Sequence, residues 1–128
     1  MKIYFYILCL ILLLLLSNCS NQAEIDAAKV TENYIVALAE KKKPEIISLS
    51  CKEWEESAVL EVDALLSVDA SLSGLNCEVI GKEENNTLVK CSGSLDLTYN
   101  DEVRSLDLSY GVYKLRKEDG QLRVCSYE

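Results

Sequence analysis

The sequence predicts an α+β domain, with two to three N-terminal helices packed on a curved, four-stranded antiparallel meander. Three observations predict it. Between residues 23 and 68, apolar side chains recur three and four positions apart, the spacing of one helix face. From Gly74 onward they alternate instead, with the two-residue period of half-buried strands. Turn-forming pairs, Asn100 with Asp101 and Asp119 with Gly120, then divide the alternating region into hairpins.

A different kind of segment precedes that domain. Met1 and Lys2 form a minimal charged start, and residues 3–16 are an unbroken apolar run. A membrane-spanning helix needs about 20 apolar residues, so this run has the length of a secretory signal. Leu16, Ser17, Asn18 and Cys19 close it in the form of a lipobox. At such a site a bacterial signal peptide is cut and the new N-terminal cysteine is acylated. Asn18 departs from the small residue usual beside the cut. A plain secretory signal is the alternative, but no A-x-A pattern is present.

The expected division is a lipoprotein signal peptide over 1–18, a lipidated N-terminus and short tether over 19–22, and the folded domain over 23–128. Acyl chains on Cys19 would anchor the protein to a lipid bilayer, facing outside the cytoplasm. Ser20 is compatible with the outer membrane where two membranes are present. Ser20, Asn21 and Gln22 reach about 10 Å when extended, which keeps the domain close to the bilayer.

Composition narrows the partners. Dropping Lys2 from the 13 basic residues leaves 12 against 21 acidic ones, a net charge of −9 for the mature chain. Lys41, Lys42 and Lys43 suit the C-terminus of a helix. No other basic run is present, so nucleic acid and anionic lipid surfaces are not expected partners. Histidine is absent, which removes the commonest metal ligand and general base. No cofactor and no metal is expected.

The first helix is expected over 23–42, with Ala27, Val30, Tyr34, Ala37 and Leu38 on one stripe and Lys29, Asn33 and Glu40 opposite. Ile25 and Val36 fall off that stripe. Pro44 opens a short second helix over 44–49, at a position proline favours. Ser50 and Glu53 then have capping-box spacing, so the third helix is expected over 51–68. Trp54, Ala58, Val62 and Leu65 form its buried stripe, and Glu61 falls inside it.

In the β region, Leu75, Cys77 and Val79 share a face. Residues 83–87 make a turn, and Asn85 to Thr87, though a glycosylation sequon, is read as part of it. Residues 88–100 form a long second strand with Val89, Cys91, Gly93, Leu95, Leu97 and Tyr99 on one face. The third strand is expected over 102–117, with Leu106, Leu108 and Tyr110 inward. At Gly111 the phase changes, so that Tyr113 and Leu115 point in, which predicts a bulge and a bend. Residues 121–127 form the last strand.

Of six cysteines, Cys9 lies in the signal segment and Cys19 is the lipid site. Cys51, Cys77, Cys91 and Cys125 predict two disulfides in an exported domain, with three connectivities open. A zinc site would show C-x2-C pairs, and none is present. A first hairpin symmetric about Glu84 sets Val79 opposite Val89, Cys77 opposite Cys91 and Leu75 opposite Gly93. One register thus serves both the face pattern and a Cys77–Cys91 bridge. Cys51–Cys125 follows by elimination. The phase of Cys125 stays open: a two-residue turn at Asp119 sets it opposite Lys114, a three-residue turn beside Tyr113.

Helix, short helix, helix and a bent meander suggest a cystatin-like roll. The chain resembles small bacterial lipoproteins related to nuclear transport factor two. The resemblance covers about residues 23–127. It is carried by Tyr34 to Leu38 in the first helix and by Leu49, Ser50, Cys51, Lys52, Glu53 and Trp54 before the third. Gly74 to Cys77, Val89 to Gly93, Tyr113, and Gly120 to Tyr127 complete it. Leu122 stands where the family often has tryptophan. The resemblance implies the fold and the disulfides. It implies no activity, since most members have none assigned.

Three functions compete. The first is a non-enzymatic envelope module that binds a small apolar ligand or another envelope protein. Its sheet and helices would enclose a cavity, open or filled by Trp54, Tyr34 and Tyr113, and no residue is assigned a catalytic role. The second is an isomerase- or dehydratase-like enzyme. It would need a buried carboxylate, Glu61 or Asp69, and a donor from Tyr34, Tyr110 or Tyr113. The third is an inhibitor or immunity-type binder, whose expected sign is an exposed apolar patch beside an acidic rim.

Overall fold

The computed structural model describes residues 18–128, with side chains from residue 21 onward. The signal-peptide reading of residues 1–17, with Leu16 and Ser17 of the lipobox, lies outside the described residues. Among those described, three α-helices precede a five-stranded antiparallel sheet that does not close on itself.

Helix α1 (Asn18–Ala39) lies across the sheet, packing chiefly on its first strand. Residues 19–22, the expected tether, are helical. Of the expected stripe, Ala27, Tyr34 and Ala37 are buried and Val30 and Leu38 half-buried, while Lys29, Asn33 and Glu40 face solvent. Ile35, outside the stripe, is buried as well. Ile25 and Val36 are exposed. Thr31 is polar yet fully buried, and it is satisfied by donating to the Ala27 carbonyl at 2.9 Å. The helix stops three residues short of residue 42. Lys41 takes a left-handed conformation at φ 61, and the Lys42 N–H donates back to the Ala37 carbonyl at 2.9 Å. No helix among the described residues is long and apolar enough to cross a membrane.

Helix α2 (Lys43–Leu49) starts with proline in its first turn and buries Ile46. The capping box expected after it does not form. Ser50 is extended, fully buried, and donates to the Ile46 carbonyl at 2.7 Å. Ser50 also bridges to Val124 of the last strand, and the Cys51 N–H donates to the Val124 carbonyl at 2.8 Å. That tether holds residues 50 and 51 against the sheet, so helix α3 (Glu55–Ala64) starts four residues later than expected. Its buried face is nevertheless the expected one, with Ala58, Val62 and the following Leu65.

Strand β1 (Asp69–Glu83) starts five residues before Gly74, which sits inside it at a bulge. Strand β2 (Asn86–Tyr99) pairs with β1 in the expected register, Cys77 opposite Cys91 and Val79 opposite Val89. The two residues Gly74 and Leu75 then face the single Gly93. Gly93 has φ +104, and a Cβ there would stand 2.5 Å from the Ser73 carbonyl oxygen. The backbones approach too closely at this bulge for any side chain.

The expected third strand is two strands. Strand β3 (Glu102–Asp107) pairs with the second half of β2, and strand β4 (Tyr113–Glu118) with Thr87, Leu88 and Val89 near its start. A 3-10 turn, Leu108–Tyr110, separates them. The phase change thus occurs where the glycine implies, but by a break rather than a bulge. Leu106 and Tyr110 are exposed, not inward, and Leu108 is half-buried. Gly111 follows the break, and the Tyr127 ring lies where a Cβ on it would stand.

Strand β5 (Gln121–Tyr127) pairs with β4 through a two-residue turn of Asp119 and Gly120, both at positive φ. A register shift after Leu115 places Cys125 at a bulge, so the consecutive Val124 and Cys125 are both buried. The turn is the two-residue one, yet Lys114 faces Ser126 rather than Cys125, because the bulge leaves Cys125 outside the pairing and aims it at Cys51. Both disulfides form as expected, Cys77–Cys91 across the first hairpin and Cys51–Cys125 from the helical layer to β5. The main core lies between the helices and the sheet, and a smaller cluster of Ala39, Leu65 and Leu95 sits under the end of α1.

Candidate functional site

Tyr34 occupies the middle of the main core with no exposed surface. Trp54 immediately precedes α3, and Glu61 lies two helical turns further on, so both point to one side. The Trp54 indole Nε1–H donates to the Tyr34 hydroxyl at 3.0 Å. That hydroxyl donates in turn to Glu61 Oε2, also at 3.0 Å. The Tyr34 ring meets Tyr113 edge to face, centroids 6.0 Å apart, and Tyr113 stacks at 4.6 Å on Tyr127. A relay of three polar groups therefore runs from the start of α3 to Tyr34 on α1 and back to Glu61 on α3, while the Tyr34 ring leads on to an aromatic row on β4 and β5.

Burial sets the electrostatics. It pushes the Tyr34 phenol well above its ordinary value, and the nearby Glu61 charge adds to the shift. Burial likewise raises Tyr113, with smaller contributions from Tyr127 and Glu61. Glu61 is held above the usual carboxylate range by burial, and the hydrogen bond from Tyr34 offsets part of that. The tyrosines stay protonated at neutral pH, and Glu61 is a weaker acid than an exposed carboxyl.

The pH dependence follows from the sign of the Glu61 shift. Its folded pKa lies above its unfolded one, so the folded state holds the proton more tightly. Its contribution is present below the unfolded value near 4.5 and is lost as pH rises through the raised folded value. Glu61→Gln keeps an acceptor for Tyr34 without the charge. We expect denaturation curves from pH 4 to 8 to show a flatter stability profile for this variant, with equal or greater stability at neutral pH. A wild-type profile that rises steadily with pH, unchanged in the variant, would contradict this.

Of the five residues predicted to line a pocket, Tyr34, Trp54, Glu61 and Tyr113 come together. Tyr110 does not: it lies in the 3-10 turn and is 88% exposed. Asp69, the alternative carboxylate, is exposed at the start of β1. Tyr127 was not foreseen, although its even spacing from Cys125 on the last strand could have placed it. Also unforeseen, Glu32 on α1 accepts the Cys77 backbone N–H at 3.1 Å, tying α1 to the disulfide hairpin.

Clefts lie away from this relay. One of about 320 Å³ is lined by Ile47, Glu55, Glu56, Val59 and Leu60. Another, of about 720 Å³, runs beside β3 and includes Val68, Leu97 and Tyr99. No group of acidic or sulfur side chains suited to hold a metal ion occurs among the described residues.

No family model matches the sequence, and no curated protein matches it. Two solved structures share its fold. One is the solution structure of a SEC-C motif containing protein from Rhodopseudomonas palustris, with a TM-score of 0.53 and 13% identity. The match covers 80% of this chain and 79% of that one. The other is the helical cell shape determining protein Pgp2 from Campylobacter jejuni, with a TM-score of 0.50 and 11% identity. It covers 77% of this chain but 38% of Pgp2. At such identities the likeness is one of fold alone.

Proposed function

We propose that the protein is a non-enzymatic binding or interaction module of the cell envelope, anchored to a membrane through acylated Cys19. On this reading the domain is a cystatin-like roll akin to nuclear transport factor two, exported and oxidised. The observation that carries the non-enzymatic part is the closed relay. The Tyr34 hydroxyl accepts from Trp54 and donates to Glu61, so its hydrogen-bonding capacity is used within the protein. A general acid must offer its proton to a substrate, and this one offers it to the fold. The lipobox residues and the two disulfides support export.

The cleft between α2 and α3 favours one particular kind of module. Leu60 is 63% exposed, and Ile47, Val59, Glu55 and Glu56 line the same cleft, Glu55 being ion-paired to Lys52 at 2.9 Å. An exposed apolar cleft that also carries carboxylates suits an inhibitor or immunity-type binder whose target presents apolar and basic side chains. Intact-mass measurement of the natively purified protein tests the proposal. The expected result is a chain starting at Cys19, carrying acyl chains, and lacking four thiol hydrogens. An uncleaved, fully reduced chain in the cell interior would sink it.

A further inference from the structure

We propose that β3 is a self-association surface, onto which a second copy of this chain adds its own β3 antiparallel in a register centred on Val103. This goes beyond the envelope-module reading and does not depend on the lipid anchor.

Among the described residues, β3 pairs with β2 alone, so its other edge is free. All six of its residues are exposed, Val103 to 67%. Asn100 and Asp101, both at positive φ, make a two-residue turn in which Tyr99 and Glu102 form the closing pair. Backbone groups alternate sides along an antiparallel strand, so Val103 and Ser105 present N–H and C=O outward. An unpaired edge of this kind is a template for another strand.

Charge selects the strand and the register. Glu102 and Arg104 have no ion-pair partner within 4 Å among the described residues. Centred on Val103, two copies set Glu102 of each opposite Arg104 of the other, with Val103 against Val103 on the other face. A register centred on Arg104 would set that guanidinium against itself. One centred on Ser105 would place both charges opposite leucines, Leu106 and Leu108. Only the first neutralises both charges, and by symmetry it does so twice. Glu102 and Arg104 pair across β2 with Tyr99 and Leu97, so they share the face of the apolar cleft that the incoming strand would cover.

Sedimentation equilibrium of the mature chain, over a series reaching about 100 µM, tests this. We expect a monomer–dimer equilibrium. Glu102→Arg and Arg104→Glu should each weaken it about tenfold, since each sets like charges opposite one another twice. An equimolar mixture of the two variants should associate as tightly as the wild type, because each copy then faces the opposite pair of charges. Val103→Lys, on the axis itself, should abolish association. A wild type that stays monomeric throughout overturns the proposal, with the edge charges then serving only to prevent pairing. So does a mixture no tighter than either variant alone.

Discussion

Replacing Cys51 and Cys125 together by alanine is expected to lower stability by about 4 kcal/mol and the Tm by roughly 15–20 °C. The bridge spans 74 residues, and closing so long a loop removes much of the freedom of the unfolded chain. It also clamps the extended stretch at Ser50 to β5, where the Cys51 N–H meets the Val124 carbonyl. The Cys77–Cys91 bridge closes a loop of only 14 residues, between strands already paired, and its removal should cost about 3 kcal/mol. Calorimetry of the two double variants under oxidising conditions gives the order directly. If the hairpin variant proved the less stable, loop length would not be what governs these bridges.

Tyr34→Ala is expected to cost about 4 kcal/mol, because it leaves a cavity at the centre of the main core. Tyr34→Phe separates the hydroxyl from the ring. It keeps the edge-to-face contact with Tyr113 but strands the Trp54 Nε1–H and removes the donor to Glu61. Leaving such groups unpaired in a buried setting should cost about 2 kcal/mol. Adding Trp54→Phe to Tyr34→Phe should then cost less than Trp54→Phe alone, since the stranded donor is gone. Chemical denaturation of the three variants measures this. Strict additivity would mean that the relay contributes nothing as a unit.

What could be read in the sequence was set by neighbours close in the chain. The Cys77–Cys91 register follows the shared face of Cys77 with Val79 and of Cys91 with Val89, although the turn closes Glu83 against Asn86 and a shift between Val79 and Gly81 restores that register. The buried face of α1 follows from side chains within a few turns. Asp119 and Gly120 fix their turn by backbone preference alone. What could not be read depended on distant partners. Ser50 has the spacing of a helix cap, yet it extends because Val124 bonds the neighbouring residue. Residues 102–117 alternate like one strand, yet they divide because β2 offers one edge to two successive partners. The bulge that turns both Val124 and Cys125 inward has no local signal either, since it serves a bridge to Cys51. In the candidate site the same division holds. Trp54 and Glu61 share a helical face and were found. Tyr110 was misplaced because the break before Gly111 rotates it out to solvent.

The nesting of the two disulfides has a mechanical consequence. The Cys77–Cys91 loop lies inside the Cys51–Cys125 loop, and α1 and α2 lie outside both. Force applied between the N-terminus and Cys125 on β5 could draw out only residues 18–50, about 110 Å of chain. Beyond that point the load passes through the Cys51–Cys125 bridge, and the residues between the two cysteines are shielded from it. Under tension α1 would behave as a fuse, peeling from the sheet and exposing Tyr34 and the apolar floor beneath it while every strand stayed linked.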